Sequence, residues 1–180
     1  MATTYDAISD RHRDFIGRQP MFFVATAARD GRVNVSPKGL DSLRVLGANR
    51  VVWLNGTGSG NETAAHLRDL DRMTIMLCSF VREPLIMRLY GSAREVQRDS
   101  ADWPALSGLF PPMRGARQLY DVTVDLVQTS CGYGVPLMEQ VGQRDLMDRW
   151  AERKDEAGLA AYQAEKNLHS IDGFETGLRV

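Results

Sequence analysis

The segment Trp53-Leu54-Asn55-Gly56-Thr57-Gly58-Ser59-Gly60-Asn61-Glu62-Thr63-Ala64-Ala65-His66-Leu67 passes from strand to loop to helix without a break. Arg50 to Leu54 is a hydrophobic strand. Ser59 and Glu62 have the spacing of a capping box, which predicts a helix from Gly60, continued by Ala64, Leu67 and Leu70 at helical spacing. The first N–H groups of a helix lack intrahelical partners, and the dipole there favours an anion. Gly56, Gly58 and Gly60 let the backbone approach a ligand, while Asn55, Thr57, Ser59 and Thr63 offer hydrogen bonds. Such a loop can hold a phosphate-bearing ligand. It can equally be a plain glycine turn with a cap, and the spacing alone does not separate the two. It is neither a Walker loop, lacking Gly-Lys-Ser/Thr, nor the dinucleotide fingerprint G-x-G-x-x-G.

Working outward in both directions, short strands and tight turns dominate as far as Gln128. Residues 5–17 read as an amphipathic helix carrying Ile8, Phe15 and Ile16, ended by Gly17 and Pro20. Met21 to Ala28 reads as a buried strand, and Asp30-Gly31 as a hairpin turn. Val33-Asn34-Val35 alternates, and Ser36-Pro37-Lys38-Gly39 then marks an edge, a bulge or a strand end, because proline cannot donate to a ladder. Leu43 to Leu46 and Arg50 to Leu54 form a hairpin around Gly47-Ala48-Asn49. Met73 to Phe80 and Leu85 to Gln97 are strands, the second bent at Gly91 as at a barrel corner. Residues 100–110 form a short helix, and Leu119 to Val127 alternates cleanly as a strand. Many antiparallel strands with one helix among them predict a barrel, which removes exposed edges by closing.

The texture changes after Gln128. A Gly/Pro loop, Cys131-Gly132-Tyr133-Gly134-Val135-Pro136, leads to two helices, 143–156 and 158–168, separated near Gly158. The chain therefore divides into a barrel unit, 1–128, and a helical appendage, 129–180, that packs on the barrel or on a second subunit.

Composition bounds the function. The chain has 180 residues, 43% of them hydrophobic and 25% charged, with a net charge of −1. That balance gives no electrostatic case for nucleic acid. No apolar run reaches the length of a membrane helix, and the N-terminus has no signal-peptide core. The expected location is cytoplasmic. Cys78 and Cys131 make no disulfide framework, and no Cys/His cluster has metal-ligand spacing, so no metal is expected. Cys78 reads as core, Cys131 as a thiol beside glycines with no adjacent base. His12, His66 and His169 stand apart, and His66 reads as a packed or surface residue. Only Lys38, Lys154 and Lys166 are lysines, so Lys38 in its proline-containing strand is either an edge lysine or an anion ligand.

The order of these features, ending in Arg88-Leu89-Tyr90-Gly91-Ser92-Ala93, resembles the pyridoxamine 5′-phosphate oxidase-related, FMN-binding split-barrel flavoproteins over about residues 15–128. The resemblance implies a mainly β (α+β) fold. Its core would be a six-stranded antiparallel split barrel with flanking helices and a helical C-terminal tail. It further implies a homodimer with FMN in grooves at the subunit interface. In the oxidase proper the phosphate segment reads Ser-Arg-Lys. Here Asn61-Glu62-Thr63 stands in its place, so both basic residues are missing. Lys38 becomes the substitute, supported by Ser36, Ser59, Thr63 and the N–H groups of Gly60, Asn61 and Glu62, with Arg88 as a second charge. Pro37, Asn55 and Thr57 complete the expected cofactor set, and Tyr133 either stacks on the flavin or fills a turn. The Arg-Leu-His-Asp-type strand of the oxidase is absent, which argues against vitamin B6 synthesis.

The resulting expectation is an FMN-dependent oxidoreductase of unassigned substrate, with no readable catalytic residue. Rival readings keep the fold and change the ligand to the deazaflavin F420 or to haem, or make the protein a non-catalytic flavin binder or redox sensor.

Overall fold

The computed structural model describes residues 2–180. Its centre is one antiparallel sheet. The strands are β1 (Thr3–Tyr5), β2 (Phe22–Thr26), β3 (Asn34–Lys38), β4 (Leu43–Gly47), β5 (Arg50–Gly56), β6 (Arg72–Cys78), β7 (Ile86–Gln97) and β8 (Ala116–Ser130). The helices are α1 (Asp10–Gly17), α2 (Glu62–Asp69), α3 (Trp103–Ser107), α4 (Leu146–Glu152) and α5 (Glu156–Lys166). Neighbouring strands run β3-β2-β6-β7-β8-β5-β4, and β1 pairs with the far end of β8. Among the described residues no ladder joins β3 to β4, so the rolled sheet stays open there, as a split barrel does. The sheet has eight strands where six were expected. The short β1, all exposed, is one source of the difference.

Alternation fills the barrel. Phe22, Val24, Val51, Trp53, Ile75, Leu77, Met87, Leu89, Tyr120 and Val122 form the interior with Phe15 and Ile16 of α1. Phe22 packs edge-on against Trp53, and Trp53 stacks on Tyr120 with centroids 4.8 Å apart. A second cluster, Val52, Leu54, Leu119, Leu106 and Phe110, buries the opposite face of β5 and β8 under α3. Asp30-Gly31 does turn β2 into β3, with Gly31 at φ +86°. Pro37 sits on the terminal strand β3, where its missing donor costs no ladder bond to a further neighbour. The β7–β8 register slips at Gly91, and a Cβ there would enter the carbonyl of Thr123. That close approach is what requires the glycine.

Four local expectations are corrected. The expected helix over 5–17 starts only at Asp10, where Ser9 and His12 cap each other reciprocally. Helix α2 starts at Glu62 rather than Gly60, Asn61 is its N-cap, and no side chain caps it. Ser59 is therefore not a cap, and the Glu62 carboxylate instead accepts the Ile171 N–H at 3.1 Å. The break between the last two helices falls at 153–155, not at Gly158, which lies inside α5 with its N–H donating to Asp155 Oδ1. Strand β8 also runs beyond Leu119 to Val127 at both ends.

The polar segment after α5 is pinned to the glycine loop. Asn167, fully buried, donates to the Gly58 carbonyl at 3.0 Å, and its own carbonyl accepts from Thr176 Oγ1 at 2.7 Å. Asp172 pairs with Arg32, and Gln97 binds the backbone of Gly177 and Arg179. No helix is long and apolar enough to cross a membrane among the described residues.

Candidate functional site

Strand β3 supplies one wall of the site. Lys38, Ser36 and Asn34 pair directly with Phe22, Val24 and Thr26, so all three share the barrel-facing side of the ladder. They stop short of the packed core because β3 is the open edge. The other walls are Trp53 and Asn55 at the end of β5, the loop 58–61, and Glu62 and Thr63 at the start of α2. Together with the C-terminal segment they enclose a cavity of about 720 Å³.

This cavity collects Ser36, Lys38, Asn55, Ser59, Gly60, Asn61, Glu62 and Thr63. Four other expected site residues lie elsewhere. Pro37 and Thr57 line a neighbouring cavity, and the buried Thr57 hydroxyl donates to Gly115 O and accepts from Gln163. Arg88 reaches Ser130 Oγ at 3.3 Å and does not line the cavity. Tyr133 is 83% exposed and lies outside it as well. For Arg88 the cause is the strand period. It alternates with the interior residues Met87 and Leu89, so it must leave the barrel on the other face of β7.

The second charge comes from a residue that the sequence pattern did not single out. Along β5 and β8, Asn55 pairs with Gln118 but Gly56 pairs with Ala116, which leaves Arg117 as the extra residue of a β-bulge. A bulge re-aims its side chain. Arg117 is 4% exposed, lines the cavity, and donates to Gly60 O at 3.1 Å and Gln118 Oε1 at 2.9 Å. The available signal was the consecutive polar pair Arg117-Gln118 just ahead of the alternating run Leu119 to Val127.

Lys38 and Arg117 dominate the electrostatics. Neither forms an ion pair among the described residues. Burial, then the nearby Arg117 charge, pulls Lys38 down to about 8. Burial also lowers Arg117, opposed by Tyr120 and Glu95. Burial raises Glu95, and its hydrogen bonds to Gln118 and Gln97 oppose the rise. Lys38 Nζ sits 4.9 Å above the Trp53 ring. Two further cations at the rim are already matched, Arg32 by Asp172 and Lys166 by Glu165. The one carboxylate in the lining among the described residues, Glu62, accepts from the Ile171 N–H. Asn61 is 2% exposed and its Oδ1 has no partner. A site with two uncompensated cations, an uncapped helix start and an unpartnered acceptor can bind an anion that also carries hydrogen-bond donors.

Buried His66 bonds Thr26 Oγ1 through Nδ1 at 3.0 Å, so of the two expectations, packed or surface, the packed one holds.

Residues 8–131 match the family model described as pyridoxamine 5′-phosphate oxidase. A curated relative from Aspergillus flavus, the pyridoxamine 5′-phosphate oxidase family protein ustO, is 37% identical over 195 residues, covering 97% of this chain and 77% of the relative. Among solved structures, HupZ from Group A Streptococcus aligns with TM-score 0.52 and 22% identity, over 66% of this chain and 91% of that one. A candidate pyridoxamine 5′-phosphate oxidase from Lactobacillus delbrueckii aligns with TM-score 0.56 and 16% identity, over 68% and 94%. These two structural likenesses speak for the fold.

Proposed function

The chain belongs to the pyridoxamine 5′-phosphate oxidase family, and from that premise we propose that it binds FMN and works as an FMN-dependent oxidoreductase outside vitamin B6 synthesis. The carrying observation is the pair Lys38 and Arg117, two buried-to-half-buried cations on one cavity without ion-pair partners among the described residues. Their donor set suits a phosphate, and Arg117 takes over from the basic pair that Asn61-Glu62-Thr63 lacks. The unpartnered Asn61 Oδ1 suits a hydroxyl-bearing chain beside that phosphate. When bound, the flavin would supply two-electron redox chemistry. The protein's own residues hold the anion through Lys38, Arg117 and the N–H groups at the start of α2. Ser36, Asn55 and Thr63 orient it, and the segment 167–171 keeps water out of the anion end. A second copy of the chain closes the groove from outside.

The test is titration of the purified protein with FMN, followed by flavin fluorescence, in the wild type and in Lys38→Ala and Arg117→Gln. Saturable binding that both variants weaken supports the reading. A wild type that ignores FMN overturns it. The deazaflavin F420 would meet the same cations and is titrated alongside. Haem has one specific observation in its favour, since His169 lines the cavity, and a Soret band lost in His169→Ala would transfer the site to it.

A further inference from the structure

Against the anion cavity lies a second one of about 680 Å³, and Lys38, Gly58 and Ser59 line both. Its character is different. It is lined by Pro20, Met21 and Leu40, by Leu146, Met147 and Trp150 of α4, and by Tyr162 of α5. Trp150 and Tyr162 meet edge to face with centroids 4.9 Å apart, giving the wall a rigid aromatic surface. Leu40 is held there at φ +59° and Asp41 follows at φ +52°, a backbone region costly for side chains other than glycine. Arg44 clamps the Asp41 carboxylate and carbonyl, which stabilises that turn. Its charged groups among the described residues are two and carry one sign. Lys38 sits at the junction, and Arg144 at the mouth has no carboxylate partner among the described residues. Among the described residues no carboxylate belongs to the lining.

We propose that this second cavity is the organic-substrate subsite, and that it takes a flat, apolar molecule bearing a carboxylate, such as an aromatic acid. The proposal rests on the flavin reading of the neighbouring cavity, because a substrate must reach the cofactor, and the shared Lys38 is where the two cavities meet. The apolar body lies between Met147, Trp150 and Leu40. The acid group pairs with Arg144, the one cation of the lining among the described residues that the anion cavity does not share.

The probes are naphthalene-2-carboxylate and its neutral isostere naphthalene-2-methanol. Binding is read from tryptophan fluorescence and by calorimetry, with FMN affinity measured separately on the same preparations. The acid is expected to bind and quench, at least tenfold more tightly than the alcohol, and Trp150→Phe should remove most of the quench while calorimetric binding persists. Arg144→Glu and Leu146→Glu both change exposed residues, so the fold is retained. Each should weaken the acid by more than it weakens the alcohol, with FMN affinity unchanged. If neither probe binds, if acid and alcohol bind alike, or if the two variants leave the acid untouched, the subsite is overturned even where FMN binds. Failure of FMN binding with the probe results intact would overturn the cofactor reading and leave an acid-binding cavity.

Discussion

At the scale of single residues, Lys38 and Arg117 carry most of the expected binding energy. A hydrogen bond to a charged group is worth about 1.5–3 kcal/mol, so Lys38→Ala or Arg117→Gln should raise the FMN dissociation constant by about ten- to a hundredfold. Fluorescence titration reads this directly. The burial that lowers Lys38 to about 8 adds a pH test. An unfolded lysine near 10.5 holds its proton across the interval in which the folded one loses it. The unfolded state therefore binds more protons between those values, and the ligand-free protein should gain stability as pH rises from 8 towards 10. FMN binding should do the opposite. Its phosphate is already a dianion above about pH 6, so affinity should fall above pH 8 as Lys38 loses the charge that the phosphate needs, by at most about tenfold per pH unit. In Lys38→Met both pH dependences should disappear. A wild-type affinity flat from pH 7 to 9.5 would detach Lys38 from the anion. Lys38 was legible because it is one of three lysines, beside a proline. Arg117 was not, because a bulge is a mismatch between two strands and appears only once their register is known.

At the scale of elements, the sequence was most informative where a buried face imposes a period. Strands β2, β6 and β7 alternate because one face enters the barrel, Gly31 marks a turn at positive φ, and Gly91 a place where only the backbone fits. Gly91→Ala should therefore cost more than about 3 kcal/mol, the upper range for overpacking, since the obstacle is the Thr123 backbone rather than a movable side chain. Thermal or urea melting checks it. Helix starts were harder to read, because Ser-x-x-Glu is satisfied by sequence while a cap is satisfied by geometry. Ser59 lies in the loop, two residues before the true N-cap Asn61, and Ser9 does the capping instead, on α1. Ser59→Ala should then change stability by less than about 0.5 kcal/mol, whereas Ser9→Ala should cost about 0.5–2 kcal/mol. Equal losses in the two variants would restore Ser59 as a cap. Strand β1 gave no signal at all. Its three residues are exposed and owe their structure to the unpaired edge of β8.

At the scale of the whole molecule, what local patterning could not show is how the polar C-terminal segment returns to the barrel. Residues 167–179 are held by long-range bonds to Gly58, Glu62, Arg32 and Gln97, none of which implies another from sequence. Between the barrel and that segment the chain leaves a run of large apolar side chains in water. Tyr133, Leu137, Met138 and Val141 are all exposed, Val141 at 98%. Scattered exposed leucines need no explanation, but four large apolar residues within one stretch resemble an interface core that awaits its partner. Val35 of the open edge β3, and Val33 just before it, add to the apolar surface. A two-fold copy would bury the same patches on both chains. We therefore expect a homodimer at micromolar concentration in sedimentation experiments. The double variant Leu137→Asp, Val141→Asp should be monomeric yet melt cooperatively, because neither side chain contributes to the barrel core. If the second copy also closes the cofactor groove, that monomer should bind FMN more weakly although Lys38 and Arg117 are intact. A wild type that sediments as a monomer would remove the dimer from the proposal. A monomeric variant with unchanged FMN affinity would place the whole anion site within one chain.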